Sequence, residues 1–169
     1  MKYYTLAILV ENEAGVLSQV IRLFSRKGYN IESIAEGVTN DPKVARITII
    51  IKGDDLTANR IVGQLNKLMC VISVKIMDKS ASVSREFVMV KVKTATKEAR
   101  DEVVQIAGIF RASIIDVNLE CVIITLTGDE SKIEAFLNLL SEFGILEIAR
   151  TGVISLDRGL MTINGKAEA

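Results

Sequence analysis

Apolar residues along this chain recur at two alternating spacings, one suited to strands and one to helices. Tyr3 to Val10 is short and rich in apolar residues, and predicts a strand. Gly15 to Lys27 then places Val16, Leu17, Val20, Leu23 and Phe24 along one apolar helix face, with Gly28 as the stop. Strands are predicted over Tyr29 to Val38 and Val44 to Lys52, separated by a turn at Thr39-Asn40-Asp41-Pro42. Leu56 to Leu68 repeats the helical spacing through Leu56, Ile61, Leu65 and Leu68, and Cys70 to Met77 closes the series as a strand. The order is βαββαβ.

The same order then starts again. Arg85 to Val92 predicts a strand, Lys97 to Gly108 a helix anchored by Val103, Val104 and Ile106, and Ala112 to Val117 and Cys121 to Thr127 two strands around a tight turn. Ser131 to Phe143 is a helix carrying Ile133, Phe136, Leu137 and Leu140, and Ile145 to Leu156 is the last strand. The repeat lies in element order rather than in residue identity. Lys79 to Ser84, polar and small, is the expected linker. The pattern gives an α+β protein of two tandem ferredoxin-like βαββαβ domains, over 1–79 and 80–158, with a loose tail from 159 to 169. Each unit is expected to form an antiparallel sheet with both helices on one face. The other face and the strand edges then need cover, and a two-fold dimer joining sheets edge to edge is the simplest source of it.

Composition removes most catalytic readings. The 169 residues include no histidine, which excludes Ser-His-Asp and Cys-His nucleophiles and histidine-ligated metals. Cys70 and Cys121 lie far apart in apolar stretches and read as reduced core thiols. Lysine plus arginine equals aspartate plus glutamate, at 21 each, so no global field favours nucleic acid. Tryptophan is absent and aromatics make up 5%, leaving little to stack on bases or sugars. No apolar run approaches the roughly 20 residues of a membrane span, and no signal peptide is visible. A soluble, cytoplasmic protein is expected.

One strand-to-helix turn offers binding chemistry: Glu11-Asn12-Glu13-Ala14-Gly15-Val16-Leu17. A helix N-terminus presents unpaired N–H groups that suit a carboxylate, and a glycine there lets the anion approach closely. Asn12 either caps the helix or offers its side-chain oxygen to an ammonium group. Asn30, in Gly28-Tyr29-Asn30-Ile31, either satisfies its own turn or reaches a ligand beside the first strand, which the sheet order is expected to bring near. By spacing alone, an ordinary capped helix start and an ordinary turn explain both. Asp54-Asp55 opens the second helix, where acids suit the dipole. Phosphate-loop and dinucleotide fingerprints are absent.

The runs Glu11 to Ser18 and Phe24-Ser25-Arg26-Lys27-Gly28-Tyr29-Asn30-Ile31-Glu32-Ser33 closely resemble the regulatory small subunit of acetolactate synthase, also called acetohydroxyacid synthase. The resemblance continues through Asp41-Pro42, Arg46-Ile47-Thr48-Ile49, Gln64 to Leu68, Arg85-Glu86, Phe110-Arg111, Ile114 to Val117 and Ala149-Arg150-Thr151-Gly152, and so covers both halves. It implies an N-terminal ACT domain, a second ACT-like domain and no catalysis on this chain. It implies a catalytic large subunit as partner, carrying thiamine diphosphate, Mg2+ and FAD, which this chain activates and makes sensitive to feedback by valine. No cofactor is implied on this chain itself. The effector site it implies lies across an ACT homodimer and maps onto Asn12, Glu13, Ala14, Gly15, Val16 and Leu17, with Asn30 and Ile31. Gly37 stands where members of the family often have alanine. The alternative is a free-standing amino-acid sensor acting on another partner.

Overall fold

The structure, a computed structural model, describes residues 2–167. The first half comprises β1 (Lys2–Glu11), α1 (Val16–Lys27), β2 (Ile31–Val38), β3 (Val44–Gly53), α2 (Asp55–Leu65) and β4 (Val71–Ile76). The second comprises β5 (Ser82–Lys93), α3 (Lys97–Phe110), β6 (Ser113–Val117), β7 (Cys121–Gly128), α4 (Glu130–Ser141) and β8 (Ile145–Asp157), then β9 (Met161–Thr162) and β10 (Gly165–Lys166). The two four-stranded sheets have the orders β2-β3-β1-β4 and β6-β7-β5-β8. The twice-repeated βαββαβ order therefore folds as two split-βαβ units.

Period-2 alternation builds each core. Leu6, Ile8 and Val10 of β1 and Ala45, Ile47, Ile49 and Ile51 of β3 point to one face, against Val20, Leu23 and Phe24 of α1 and Ala58, Ile61 and Leu65 of α2. The second core sets Val88, Val90, Val92, Val122, Ile124 and Leu126 against Val103, Ala107, Ile133, Phe136 and Leu140. Cys70 is buried and Cys121 half-buried, both as free thiols.

The strand β8 forms where the sequence places it, yet it serves two compact units: residues 1–84 with 153–169 cluster as one and residues 85–152 as the other, beside sequence-expected domain bounds of 79 and 158. The apolar alternation of β8 through Leu146 and Ile148 breaks at Arg150-Thr151-Gly152 and resumes at Ile154 and Leu156, a break that does not say which unit the resumed part serves. The change of unit falls at Gly152, whose φ of 79° is open to glycine at little cost. From there residues 153–164 cross the helix-free face of the first sheet. Val153 N–H donates to Ser33 Oγ at 3.3 Å, and Arg46 Nη2 to the Ser155 carbonyl at 2.8 Å. Ser73 Oγ donates to Asn164 Oδ1 at 2.7 Å, and Lys75 Nζ lies 2.9 Å from Asp157 Oδ1. A strap from the chain's own end thus supplies cover that the sequence reading assigned to a second copy. The β9–β10 hairpin occupies 161–166, where a loose tail was expected; residues 168 and 169 lie outside the described residues. The expected linker is also folded: Asp78 Oδ1 accepts from Ser80, and β5 has begun by Ser82.

Three helices start under side-chain caps: Asp54 accepts from Thr57 N–H, Thr96 from Ala99 N–H and Asp129 from Lys132 N–H. These bonds, and those of the Thr57 and Ser131 side chains, hold the Asp54 and Asp129 carboxyls below their ordinary range. A carboxyl depressed by folding stabilises the native state above its unfolded pKa, and that contribution is lost as pH falls through the folded value. Thermal melts at pH 6 and pH 3 should therefore show a larger acid loss for the native sequence than for an Asp54→Ala/Asp129→Ala variant. Equal losses would mean that the caps do not couple stability to pH.

Candidate functional site

The first turn of α1 differs from the other helix starts. Gly15 occupies the N-cap position with φ 88°, and no side chain caps the helix. Val16 N–H reaches back to the Glu13 carbonyl at 3.3 Å, and the intrahelical ladder opens with Gln19 N–H on the Gly15 carbonyl at 3.0 Å. The N–H groups of Leu17 and Ser18 thus face outward from the first turn with no side-chain acceptor, at the positive end of the helix. A Cβ built on Gly15 meets nothing within 4 Å, so the approach to that turn is open.

Asn12 does not cap the helix. Its backbone N–H donates to the Lys43 carbonyl at 2.7 Å and its Nδ2 to the Pro42 carbonyl at 2.8 Å, pinning the β1–α1 loop to the β2–β3 turn. That orientation spends one of the amide's two N–H donors on the protein and turns Oδ1 away from the Pro42 carbonyl. The sequence reading saw the Thr39–Pro42 turn but not its part in orienting Asn12. Glu13, Ala14 and Gly15 are exposed, Val16 is buried and Leu17 is half-buried against the first core.

Asn30 and Ile31 sit elsewhere. Asn30 is exposed and donates Nδ2 to Glu32 Oε1 at 2.8 Å, while Ile31 packs against the core. Ile31 pairs with Ile51, which pairs with Tyr4, whereas the Asn12 loop follows Glu11, paired with Val44. From Tyr4 to Glu11 the sheet advances seven residues at about 3.3 Å each, roughly 23 Å. Within one copy β3 lies between β2 and the first strand, and the Asn30 and Asn12 clusters lie at opposite ends of the sheet and of α1.

Among the described residues no group of three or more histidine, cysteine, aspartate or glutamate side chains is placed to hold a metal. No helix among them is long and apolar enough to cross a membrane.

What remains is a two-unit α+β chain whose first unit presents an open, uncapped helix start, and comparison with known proteins places it. Residues 6–73 match the family described as the AHAS small subunit-like ACT domain, and residues 85–159 the family described as the small subunit of acetolactate synthase. The chain belongs to the acetolactate synthase small-subunit family. It is 45% identical over 160 residues to a probable acetolactate synthase small subunit of Methanothermobacter thermautotrophicus, covering 95% of each chain. It is 44% identical over 158 residues to the acetolactate synthase small subunit of Mycobacterium bovis, covering 94% of each. Its fold matches the crystal structure of the acetolactate synthase small subunit from Thermotoga maritima with a TM-score of 0.87 at 40% identity, over 94% of this chain and 99% of that one. As a member of this family the protein is a regulatory, non-catalytic subunit, and its partner is the acetolactate synthase large subunit. The ACT domain is its first unit.

Proposed function

We propose that this small subunit raises the activity of the large subunit and makes it sensitive to valine, which binds across a homodimer of the first units. The supporting observation is the uncapped first turn of α1, where Gly15 leaves the N–H groups of the helix start open to a carboxylate. Asn12 Oδ1 accepts from the ammonium group. Leu17 of one copy and Ile31 of the other bound the side-chain pocket. The separation of Asn30 from Gly15 within one chain fits a site that a second copy completes.

On this reading the large subunit carries thiamine diphosphate, Mg2+ and FAD, and in the cytoplasm joins pyruvate to pyruvate or to 2-ketobutyrate. Valine shifts the regulatory subunit toward a state that activates its partner less, by no more than its differential affinity for the two states. A coupling of about 1–3 kcal/mol, typical of such linkages, corresponds to a change in affinity between the two states by a factor of about 5–150. Discrimination within the branched-chain set is limited, because one methylene in an apolar pocket is worth about 1–3 kcal/mol.

Subunit mixing tests the placement. Gly15→Asp and Asn30→Ala copies, each weak in valine binding alone, should on mixing form heterodimers with one intact site. Random re-pairing should restore roughly a quarter of the native valine capacity, measured calorimetrically. No recovery in a mixture shown to exchange subunits would contradict a site shared between copies.

A further inference from the structure

The helix layer of the first unit carries charge of one sign. From Ala14 to Ile31, a span that includes all of α1, the chain has Arg22, Arg26 and Lys27 and no acidic residue. From Leu56 to Met77, which includes α2 beyond its first residue, it has Arg60, Lys67 and Lys75 and again no acidic residue. Lys75 lies on β4 and is paired with Asp157, 2.9 Å away. The other five cations are exposed, and none of them takes part in an ion pair among the described residues. The two acids at the start of α2 are already engaged. Asp54 caps the helix on Thr57 N–H and shares its field with Arg60, and Asp55 accepts from the Tyr4 hydroxyl at 2.6 Å.

Spacing gathers these charges into a surface. Arg22 and Arg26 stand one turn apart on α1, and Arg60 follows Leu56 by one turn on α2. The buried positions of both helices face the sheet, so the basic positions between them face outward. Two apolar side chains, Ile21 and Leu56, are exposed on the same two helices. Like charges gathered without counter-charges repel one another, and an ordinary solvated helix interleaves the two signs instead. The second unit does so: α3 opens Lys97-Glu98-Ala99-Arg100-Asp101-Glu102, and α4 opens Glu130-Ser131-Lys132-Ile133-Glu134. A layer of one sign, rich in arginine and with apolar side chains at its surface, has the composition of a docking face.

We propose that the α1–α2 layer of the first unit is where an acidic surface of the acetolactate synthase large subunit docks. Carboxylates of the partner lie against Arg22, Arg26 and Arg60, whose planar forks suit paired carboxylate oxygens. Ile21 and Leu56 seat its apolar contacts. A second copy of this chain would offer α3 and α4, but their signs alternate, so the match in charge is only partial. Because α1 begins beyond Gly15, the helix proposed to receive valine is also one that touches the partner. The docking face rests on the family's partner and stands whether or not valine binds at Gly15.

Binding of the complete chain to purified large subunit, followed by interferometry at low and at high salt, tests the assignment without valine. Arg22→Glu/Arg26→Glu should weaken binding at low salt about tenfold or more, because like charges then face each other. Arg22→Gln/Arg26→Gln, which removes the charge without reversing it, should fall between that variant and the native chain. Lys79→Glu/Lys166→Glu makes the same change in net charge at exposed residues off the layer, and should shift binding less than about threefold, the loss of distant screened charges. High salt should weaken the native pair and leave the Arg22→Glu/Arg26→Glu variant almost unchanged. Circular dichroism melts of each variant establish that the fold is kept. Equal weakening by the arginine and lysine reversals, or undiminished binding by the arginine reversal, would overturn the assignment. So would self-association of the chain alone that high salt and the arginine reversal both abolish, which would give this layer to α3 and α4 of a second copy.

Discussion

Gly15→Asp is expected to leave activation of the large subunit intact and to raise the valine concentration for half-inhibition at least tenfold. The new carboxylate would sit beside the first-turn N–H groups of α1 and take the place of the effector's own. Losing charge-assisted hydrogen bonds there costs about 1.5–3 kcal/mol, and each 1.4 kcal/mol is about tenfold in affinity. The substitution has a steric opening, since a Cβ at this position meets nothing within 4 Å. It also has a backbone cost, because φ is 88° and the left-handed region costs an L-residue about 1–2 kcal/mol. Gly15→Ala carries the backbone cost without the anion, so comparing the two separates strain from competition. A much larger loss of inhibition in the aspartate variant is the expected result. An aspartate variant that activates and stays fully valine-sensitive would place the effector elsewhere.

Phe136→Ala should remove the second unit's native structure while sparing the first. Phe136 is wholly buried on α4, with its ring 5.2 Å from that of Phe110. Truncating a buried phenylalanine costs about 3–5 kcal/mol, the whole stability that a core of this size ordinarily provides. The two cores contain separate sets of side chains, the first built on β1 and β3 and the second on β5 and β7. Hydrogen exchange should accordingly show lost protection in β5, β7 and α4 and retained protection in β1 and β3. All the residues proposed to hold valine lie in the first unit, so calorimetric valine binding should survive. Equal loss of protection in both units would mean that they fold as one.

Most of the fold is legible in the sequence because periodicity carries it. The isoleucines of β3 at 47, 49 and 51 alternate with Arg46, Thr48 and Ile50, and α1 repeats its apolar positions at helical spacing, so both elements declare their inner face. What stays hidden concerns residues that act over long separations. The β8 pattern breaks at Arg150 and Gly152, but the break does not announce that the residues beyond it serve another unit. Glu86 is 4% exposed at a core-facing position and holds Arg150, with Nε on Oε1 at 2.9 Å. A carboxylate in register with Val88, Val90 and Val92 was the available signal for such a partner, yet the pattern gives no hint of which cation supplies it. At the candidate site the glycine and the helix start are readable, because each acts through its own backbone. The distance from Asn12 to Asn30 is not readable, since it depends on strand register. The tie of Asn12 to the Pro42 carbonyl depends on where the β2–β3 turn falls in space.

The central claim is that this chain governs a separate catalytic subunit and that valine acts through it. The most direct test is the acetolactate synthase activity of the purified large subunit, with and without this chain, across an L-valine titration. The account predicts that the chain raises the activity, that valine reverses the increase, and that Gly15→Asp keeps the increase while resisting valine. A folded chain that binds the large subunit yet leaves its activity the same at every valine concentration would contradict it.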